Sequence, residues 1–327
     1  MLAILPALPG AAAEPTDGAD RPAAAADAAD SAADAASTIE FLRHAAEALT
    51  WSDEIIRHDW RLQRRPGSDA CRILDARDTV VRTGTRRECQ EAFAALERSG
   101  EAPAMRGPTV IVLHGLGEGR RSMRPLVEFL RRNLDATVLS FGYASTSAGL
   151  EDHGRSLAAV IAHLPTDAPI SFVGHSLGNL VVRRWMGLAA ADQLDQLERV
   201  GRMVMLGPPN QGSELARRVA NVDLLAALSH GAARELVLDW GRVSPHLAVP
   251  SCPFGIVAGG KGDDRGYSSL LSGDDDAVVR VDETRLDGAD DFLLLPVHHA
   301  AMMRHPGVQR ATASFLQTGR FAAAADE

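Results

Sequence analysis

The sequence predicts an α/β protein: a mostly parallel sheet of about six strands with helices on both faces, preceded by a small α+β module. After residue 108, short apolar runs alternate with segments whose apolar residues recur at helical spacing, which is typical of consecutive βαβ units. The runs do not alternate with polar residues, as expected for strands covered on both faces. The 327 residues are enough for two domains of ordinary size.

Composition excludes several classes of protein. The net charge of −9 argues against non-specific binding to nucleic acid or to an anionic membrane surface. No run of 18 apolar residues predicts a membrane span. Three cysteines are too few for a disulfide scaffold, and no CxxC pair indicates a zinc site.

Residues 1–38 are predicted to be a disordered tail, because they are rich in alanine and carry six acidic residues against one arginine. The apolar start, residues 1–13, ends in small residues as a signal peptide does, although it lacks a positively charged beginning. This pattern predicts export to the periplasm or beyond. A plain alanine-rich terminus on a cytoplasmic protein is the alternative.

Residues 39–104 are predicted to form the small α+β module. A capping box at Ser37 predicts a first helix. Three strands in a meander and a further helix at residues 86–98 follow. The predicted strands are Trp60–Gln63, Cys71–Leu74 and Val80–Thr83. Cys71 and Cys89 are predicted either to pair as a disulfide in an oxidising compartment or to be reduced core residues. Residues 101–108 are predicted to be a linker, and the role of the module is left open.

Residues 105–327 are predicted to form the main α/β domain. Its six strands are predicted at Thr109–Leu113, Ala136–Phe141, Ile170–Val173, Met203–Leu206, Phe254–Val257 and Phe292–Leu295. Helices are predicted at residues 122–134, 151–163, 177–190, within 213–240, and at 307–317.

The strongest chemical signal is the stretch Gly174-His175-Ser176-Leu177-Gly178, which lies between a predicted strand and a predicted helix. A GxSxG sequence in that setting predicts a sharp turn that exposes a nucleophilic serine, Ser176. Residues two before and two after the serine must lack bulk, and both are glycine. The backbone N–H of Leu177, at the helix start, would face a developing oxyanion.

A second oxyanion donor is predicted in the loop after the first strand of the main sheet. That loop begins His114-Gly115-Leu116-Gly117-Glu118. Leu116 is the expected donor through its backbone N–H, because the flanking glycines allow close approach to a substrate. The loop matches neither GxGxxG nor a P-loop, and Glu118 would repel a phosphate, so nucleotide binding is disfavoured.

Together these two motifs resemble the lipase/esterase branch of the α/β-hydrolase superfamily, over residues 108–320. The stretch Met205–Ser213 also resembles the loop after the sixth strand in bacterial lipases. The resemblance implies an α/β-hydrolase fold with a short six-stranded sheet. It also implies a triad in the chain order serine, acid, histidine.

The acid is expected after the penultimate strand and the histidine after the last one. The register of residues 273–279 favours Asp276, with Asp275 as the alternative, and a calcium site in this loop is a further alternative. His299, followed by a small residue, is favoured over His298. His305 is predicted to be a cap or surface residue. Neither a metal nor a cofactor is predicted, because no carboxylate or cysteine lies at ligand spacing from these histidines.

The predicted activity is hydrolysis of a carboxylic ester by a serine hydrolase with the triad Ser176, Asp276 and His299. An acyltransferase or thioesterase with the same triad, and a non-catalytic binding protein on this scaffold, are the alternatives. Residues 213–249 are predicted to supply either a lid or ordinary helices beside the site. The expected partner is a small-molecule ester or lipid, not a nucleic acid, and the oligomeric state is not predicted.

Overall fold

Two β-sheets organise the chain, which is described by a computed structural model over residues 50–166, 168–219 and 231–322. The first sheet has four antiparallel strands in the order β1-β2-β3-β4. The second has six parallel strands in the order β10-β9-β8-β7-β5-β6. This architecture confirms the predicted fold class. The predicted tail and the helix expected after Ser37 lie outside the described residues.

Every strand except β1 overlaps a strand predicted from the sequence. Their bounds are β1 Ser52–Arg57, β2 Trp60–Arg64, β3 Ala70–Leu74, β4 Val80–Thr85, β5 Thr109–Leu113, β6 Thr137–Phe141, β7 Ile170–His175, β8 Val200–Leu206, β9 Phe254–Gly259 and β10 Asp291–Leu295. The longer helices are α1 Arg86–Ser99, α2 Arg124–Asn133, α3 Leu150–Ala162, α4 Leu177–Ala191 and α9 Pro306–Thr318. Shorter helices are α5 Glu214–Val219, α6 Ala232–Val237, α7 Trp240–Val243 and α8 Val281–Thr284.

The prediction of three strands in the first sheet was wrong, because β1 was missed. Asp53 and Glu54 are consecutive acids within β1, yet both are buried. Asp53 forms a buried ion pair with Arg61 of β2, with Nη1 and Oδ2 2.6 Å apart. Glu54 is paired with Arg64 and Arg86. Buried acids require such partners, and these partners become visible only once the strands are paired.

Sheet β1–β4 and helix α1 together form what we term the antiparallel module. Helix α1 begins in a capping box, in which the Thr85 hydroxyl accepts from the Glu88 N–H and a Glu88 carboxylate oxygen accepts from the Thr85 N–H. Cys89 and Phe93 of this helix share a small core with Cys71 of β3. Both cysteines are buried free thiols, and burial raises the pKa of Cys71 to about 12.

Helices cover both faces of the parallel sheet. Alternate residues of β5 point to opposite faces: Ile111 and Leu113 join one core with α3 and α4, and Val110 and Val112 join the other with α2 and α9. All described residues belong to one compact unit. Within this part of the chain, no helix is both long and apolar enough to cross a lipid bilayer.

Candidate active site

Ser176 lies at the turn between β7 and α4, in a strained backbone conformation with φ 52° and ψ −121°. The turn can be tight because the residues two before and two after Ser176 are glycine. A Cβ on Gly174 would lie 2.7 Å from the backbone nitrogen of Asn179. A Cβ on Gly178 would lie 2.8 Å from the carbonyl oxygens of Leu113 and His114. Strain of this kind persists where the surrounding structure enforces it, and such sites are often functional.

Asp276 and His299 form a buried pair. The Nδ1 atom of His299 lies 2.6 Å from Oδ2 of Asp276. The other carboxylate oxygen of Asp276 accepts from the backbone N–H groups of Val278 and Val279 at 3.0 and 2.7 Å. The His299 N–H also donates to the Asp276 carbonyl at 2.8 Å. The carboxylate therefore fixes the orientation of the ring and leaves Nε2 as the nitrogen available to another group.

Asp275 and His298, the alternatives for the acid and the histidine, contact other groups. One carboxylate oxygen of Asp275 accepts from three backbone N–H groups of its own loop, at 2.7–3.2 Å. His298 is exposed, and its ring packs at a tilt of 40° against Tyr267, with 3.9 Å between ring centroids. The structure thus brings together Asp276 and His299, the residues that the sequence register favoured. His305 is the N-cap of α9, where its Nδ1 accepts from the Val308 N–H at 3.4 Å.

Ser176 and His299 line the same cavity, which has a volume of about 310 Å³. His175 and Glu118 lie on its wall as well. The rest of the wall is mostly apolar and includes Leu116, Pro209, Leu215, Ala216, Ala233, Leu236, Val278 and Val279. The segment after β8 therefore supplies part of the wall, through α5 and α6. Among the described residues the Ser176 hydroxyl has no hydrogen-bond partner; bonds of this type commonly tighten when a substrate binds.

The glycine-rich loop, residues 114–121, lies against Ser176. A Cβ on Gly115 would be 3.1 Å from the Ser176 Cβ. The Gly115 N–H donates to a Glu118 carboxylate oxygen at 3.0 Å, and the Gly117 N–H donates to the Ser145 hydroxyl at 3.2 Å. The N–H groups of Leu116 and Leu177 have no acceptor among the described residues. These two donors remain available to a bound oxygen.

His175 and Glu118 connect this loop to His299. Nε2 of His175 lies 3.1 Å from the His299 carbonyl oxygen. Nδ1 lies 3.4 Å from the Glu118 carboxylate. Burial alone would raise the pKa of Glu118. Its contacts with His175, the Gly115 N–H and the Ser122 hydroxyl outweigh burial and hold this pKa well below its usual range. The cavity therefore contains a fixed negative charge beside the loop.

His114, the first residue of the glycine-rich loop, belongs to a buried cluster of rings. Its ring stacks on Tyr143 at 4.2 Å, and Tyr143 packs against His153 at 4.7 Å. The Tyr143 hydroxyl donates to the His114 carbonyl at 2.5 Å. Burial lowers the pKa of His114 to about 4 and that of His153 to about 3. Both imidazoles are therefore neutral at neutral pH.

This cluster predicts a loss of stability in mild acid. The pKa of His153 is about 3 in the folded state, against 6.5 as the ordinary value, so the unfolded chain takes up a proton first as the pH falls. The contribution of His153 to the free energy of unfolding is therefore fully present above about pH 6.5 and is lost as the pH falls toward 3. At about pH 5 the loss is about 2 kcal/mol. Neither ring nitrogen of His153 has a hydrogen-bond partner among the described residues.

Between about pH 7.5 and about pH 5, the free energy of unfolding of His153→Phe should therefore fall by about 2 kcal/mol less than that of the native chain. Urea unfolding at both pH values measures the difference. Identical pH dependence in the two proteins would contradict this account.

Gly207 is a site residue that sequence reasoning did not single out. It follows β8 with φ +51°, and a Cβ there would lie 3.0 Å from His299 Nδ1 and 3.1 Å from Asp276 Oδ2. Glycine at this position lets the chain pass close to the pair. The sequence could have indicated this residue, because it directly follows a predicted strand and lies within the stretch Met205–Ser213.

The loop between β9 and α8 does not gather a metal site among the described residues, where no group of three or more histidine, cysteine or acidic side chains has a suitable arrangement. The Asp274 carboxylate accepts from the N–H groups of Lys261 and Gly262, both at 2.8 Å. The clustered aspartates thus organise the backbone of their own loop.

Comparison with known proteins places the chain in a family. A family model described as a domain of unknown function, DUF7379, matches residues 78–244, which is just over half of the chain. The chain belongs to the DUF7379 family. The DUF7379 match begins inside the antiparallel module and contains the glycine-rich loop and Ser176, but it ends before Asp276 and His299. No curated protein matches the sequence.

Solved structures similar to this DUF7379 protein have the α/β-hydrolase fold. Phospholipase PlaB from Legionella pneumophila matches with a TM-score of 0.51 and 18% identity, over 65% of this chain and 59% of that one. Lipase BlEst2 from Bacillus licheniformis in its propeptide form matches with a TM-score of 0.50 and 18% identity, over 69% of this chain and 54% of that one. The present chain thus spans little more than half of either protein, and the likeness establishes the fold.

Proposed function

We propose that this protein is a serine hydrolase that cleaves carboxylic esters through an acyl-enzyme intermediate. The observation that carries the proposal is the buried His299–Asp276 pair, with 2.6 Å between Nδ1 and Oδ2. His299 lines the same cavity as Ser176. A serine at a strained turn, a histidine oriented by a carboxylate and two unengaged N–H groups are the parts that acyl transfer requires. The similar structures named a phospholipase and a lipase support this class of reaction.

In the proposed reaction, the Ser176 Oγ attacks the ester carbonyl carbon while its proton passes to Nε2 of His299. The new C–O bond converts the carbonyl oxygen to an oxyanion, which accepts hydrogen bonds from the N–H groups of Leu116 and Leu177. The bond to the alcohol then breaks, and His299 returns the proton to the departing alcohol oxygen. Asp276 holds the ring in one tautomer and stabilises the imidazolium formed between these steps.

Water completes the cycle. It gives a proton to His299 and attacks the acyl carbon, and collapse of the second tetrahedral intermediate restores the Ser176 hydroxyl and releases the acid. The acyl portion is expected to be apolar, since the cavity wall is mostly aliphatic. An anionic acyl group is disfavoured, because the Glu118 carboxylate is ionised at the cavity wall.

A fluorophosphonate probe tests the proposed nucleophile without knowledge of the substrate. The Ser176 oxygen is expected to displace fluoride from phosphorus, and peptide mass spectrometry should locate the adduct at residue 176. Protein denatured before labelling is the control, because activation depends on the folded site. A folded protein that does not react would contradict the proposal.

A series of p-nitrophenyl esters, from acetate to palmitate, tests the acyl specificity. We expect kcat/KM to rise with acyl length and then to fall once the chain exceeds the cavity. A succinate half-ester, which carries an acyl carboxylate, should be a poorer substrate than the neutral butyrate ester. A half-ester that is hydrolysed as well as butyrate would exclude Glu118 from substrate selection.

A further inference from the structure

Two sets of contacts connect the antiparallel module to the glycine-rich loop. The first set involves Asp78, at the turn between β3 and β4. Its carboxylate accepts from the guanidinium groups of Arg120 and Arg121, the latter at 2.9 Å. These arginines end the loop of residues 114–121 that carries Leu116. All three side chains are at most 22% exposed. Charge-assisted bonds at such partly buried positions are stronger than exposed ones.

The turn that presents Asp78 is itself well fixed. Asp78 has φ 64°, and its N–H donates to the Asp75 carbonyl at 3.0 Å. The Asp75 carboxylate accepts from the N–H groups of Arg77 and Thr79 at 2.9 and 2.8 Å. Burial raises the pKa of Asp78, but the two arginines reverse this effect and hold it below its ordinary value. Asp78 is therefore a rigidly held anion at neutral pH.

The second set of contacts begins at the buried Asp53–Arg61 pair. Asp53 exchanges hydrogen bonds with Gly142: its N–H donates to the Gly142 carbonyl at 2.8 Å, and its carboxylate accepts from the Gly142 N–H at 2.7 Å. Arg61 donates to the Ser140 carbonyl at 2.8 Å. The end of β6 and the residues after it are thereby attached to β1 and β2.

Ser145, which follows these residues, forms hydrogen bonds with the glycine-rich loop. The preceding residue, Ala144, donates its N–H to the Ser52 hydroxyl of β1 at 3.1 Å. The Ser145 hydroxyl accepts from the Gly117 N–H at 3.2 Å and donates to the Glu118 carbonyl at 3.4 Å. The middle of the loop and its end are thus both connected to the antiparallel module, from two directions.

We propose that the antiparallel module is a brace for the oxyanion site, and that Asp78 is a positioning residue that holds the Leu116 N–H in place through Arg120 and Arg121. The inference rests on the proposed function for its catalytic consequence. Oxyanion donors act over a narrow range of distances, about 2.7–3.1 Å. A displacement of about 1 Å at a reacting centre can cost about 100-fold in rate.

Asp78→Asn is the variant that tests the brace. Asparagine tolerates a positive φ nearly as well as aspartate, so the turn is expected to persist while the charge is lost. Asp59→Asn is the matched control. Asp59 also connects the antiparallel module to the rest of the chain, through Arg131 at 3.0 Å. However, Arg131 is on α2 and outside the glycine-rich loop.

Hydrogen–deuterium exchange of the full-length protein tests the positioning independently of activity. In Asp78→Asn, peptides that cover residues 114–121 should exchange about tenfold faster, whereas Asp59→Asn should leave them unchanged. Exchange at the native rate in Asp78→Asn would overturn the brace. Equal acceleration in both variants would also overturn it, because the effect would then be general destabilisation.

Kinetics with a p-nitrophenyl ester test the catalytic consequence. Asp78→Asn should lower kcat by about 10- to 100-fold, with KM within about twofold of the native value, and Asp59→Asn should keep the native kcat. The affinity for a trifluoromethyl ketone, whose adduct with Ser176 carries an oxyanion, should fall in parallel with kcat/KM. Native kcat and native ketone affinity in Asp78→Asn would overturn the positioning role. A native protein that reacts with neither the esters nor the fluorophosphonate would contradict the proposed function instead. The exchange measurement would still test whether Asp78 holds residues 114–121 in place.

Discussion

Ser176→Ala is expected to lower kcat for ester hydrolysis by about a million-fold, because it removes the oxygen that attacks the carbonyl carbon in the proposed reaction. The fold should be unaffected. Ser176 has no side-chain hydrogen bond among the described residues, and the turn is formed by the absence of side chains at Gly174 and Gly178. The free energy of unfolding should therefore change by no more than about 0.5 kcal/mol. Initial rates with a p-nitrophenyl ester and urea unfolding measure both quantities.

Ser213→Ala is the matched control for this variant. Ser213 lines the same cavity, but its hydroxyl accepts from the Ala216 N–H at 3.1 Å, at the start of α5. It should keep most of the activity. If Ser176→Ala retained turnover while Ser213→Ala did not, the nucleophile would have been assigned to the wrong serine.

Asp276→Asn is expected to lower kcat by about 10⁴-fold with little change in KM. The asparagine can still accept from the N–H groups of Val278 and Val279, so the loop should persist. It cannot stabilise the imidazolium of His299, and its amide group favours the wrong tautomer of the ring. Steady-state kinetics of the native protein and of Asp276→Asn test this result, and circular dichroism verifies that the variant is folded.

Asp275→Asn is the matched comparison, because the sequence left Asp275 as the alternative for the acid. Asp275 binds three backbone N–H groups of its loop and does not contact His299. This variant should lose stability and keep kcat within about tenfold of the native value. The reverse ranking of the two variants would make Asp275 the acid of the triad.

Much of the parallel sheet was predictable because each of its strands is covered on both faces. A strand in that position, such as β5 or β7, is a short apolar run, and such runs stand out between amphipathic helices. β1 could not be recognised in this way. Its acids are buried only because Arg61, Arg64 and Arg86 approach from other elements, and that pairing is invisible in a local pattern.

The candidate site was predictable where a motif is local and less so where distant segments meet. Ser176 and the glycine-rich loop each lie within a few residues of sequence. Asp276 and His299 were predicted from the register of the sequence, and each had a competing neighbour. Their pairing in space depends on contacts between distant segments. The approach of Gly207 to the pair, and the contact between Glu118 and His175, depend on how three loops converge. No single segment of the sequence encodes either.

The buried pair of Asp53 and Arg61 has a consequence for how the chain folds as it is synthesised. Both residues leave the ribosome before the parallel sheet does, but the backbone groups that complete their hydrogen bonds belong to Ser140 and Gly142, the latter 89 positions after Asp53. Until those residues emerge, the two charges are better solvated by water than by protein. Sheet β1–β4 is translated before the parallel sheet, yet it is expected to complete its burial only after β6 has emerged from the ribosome.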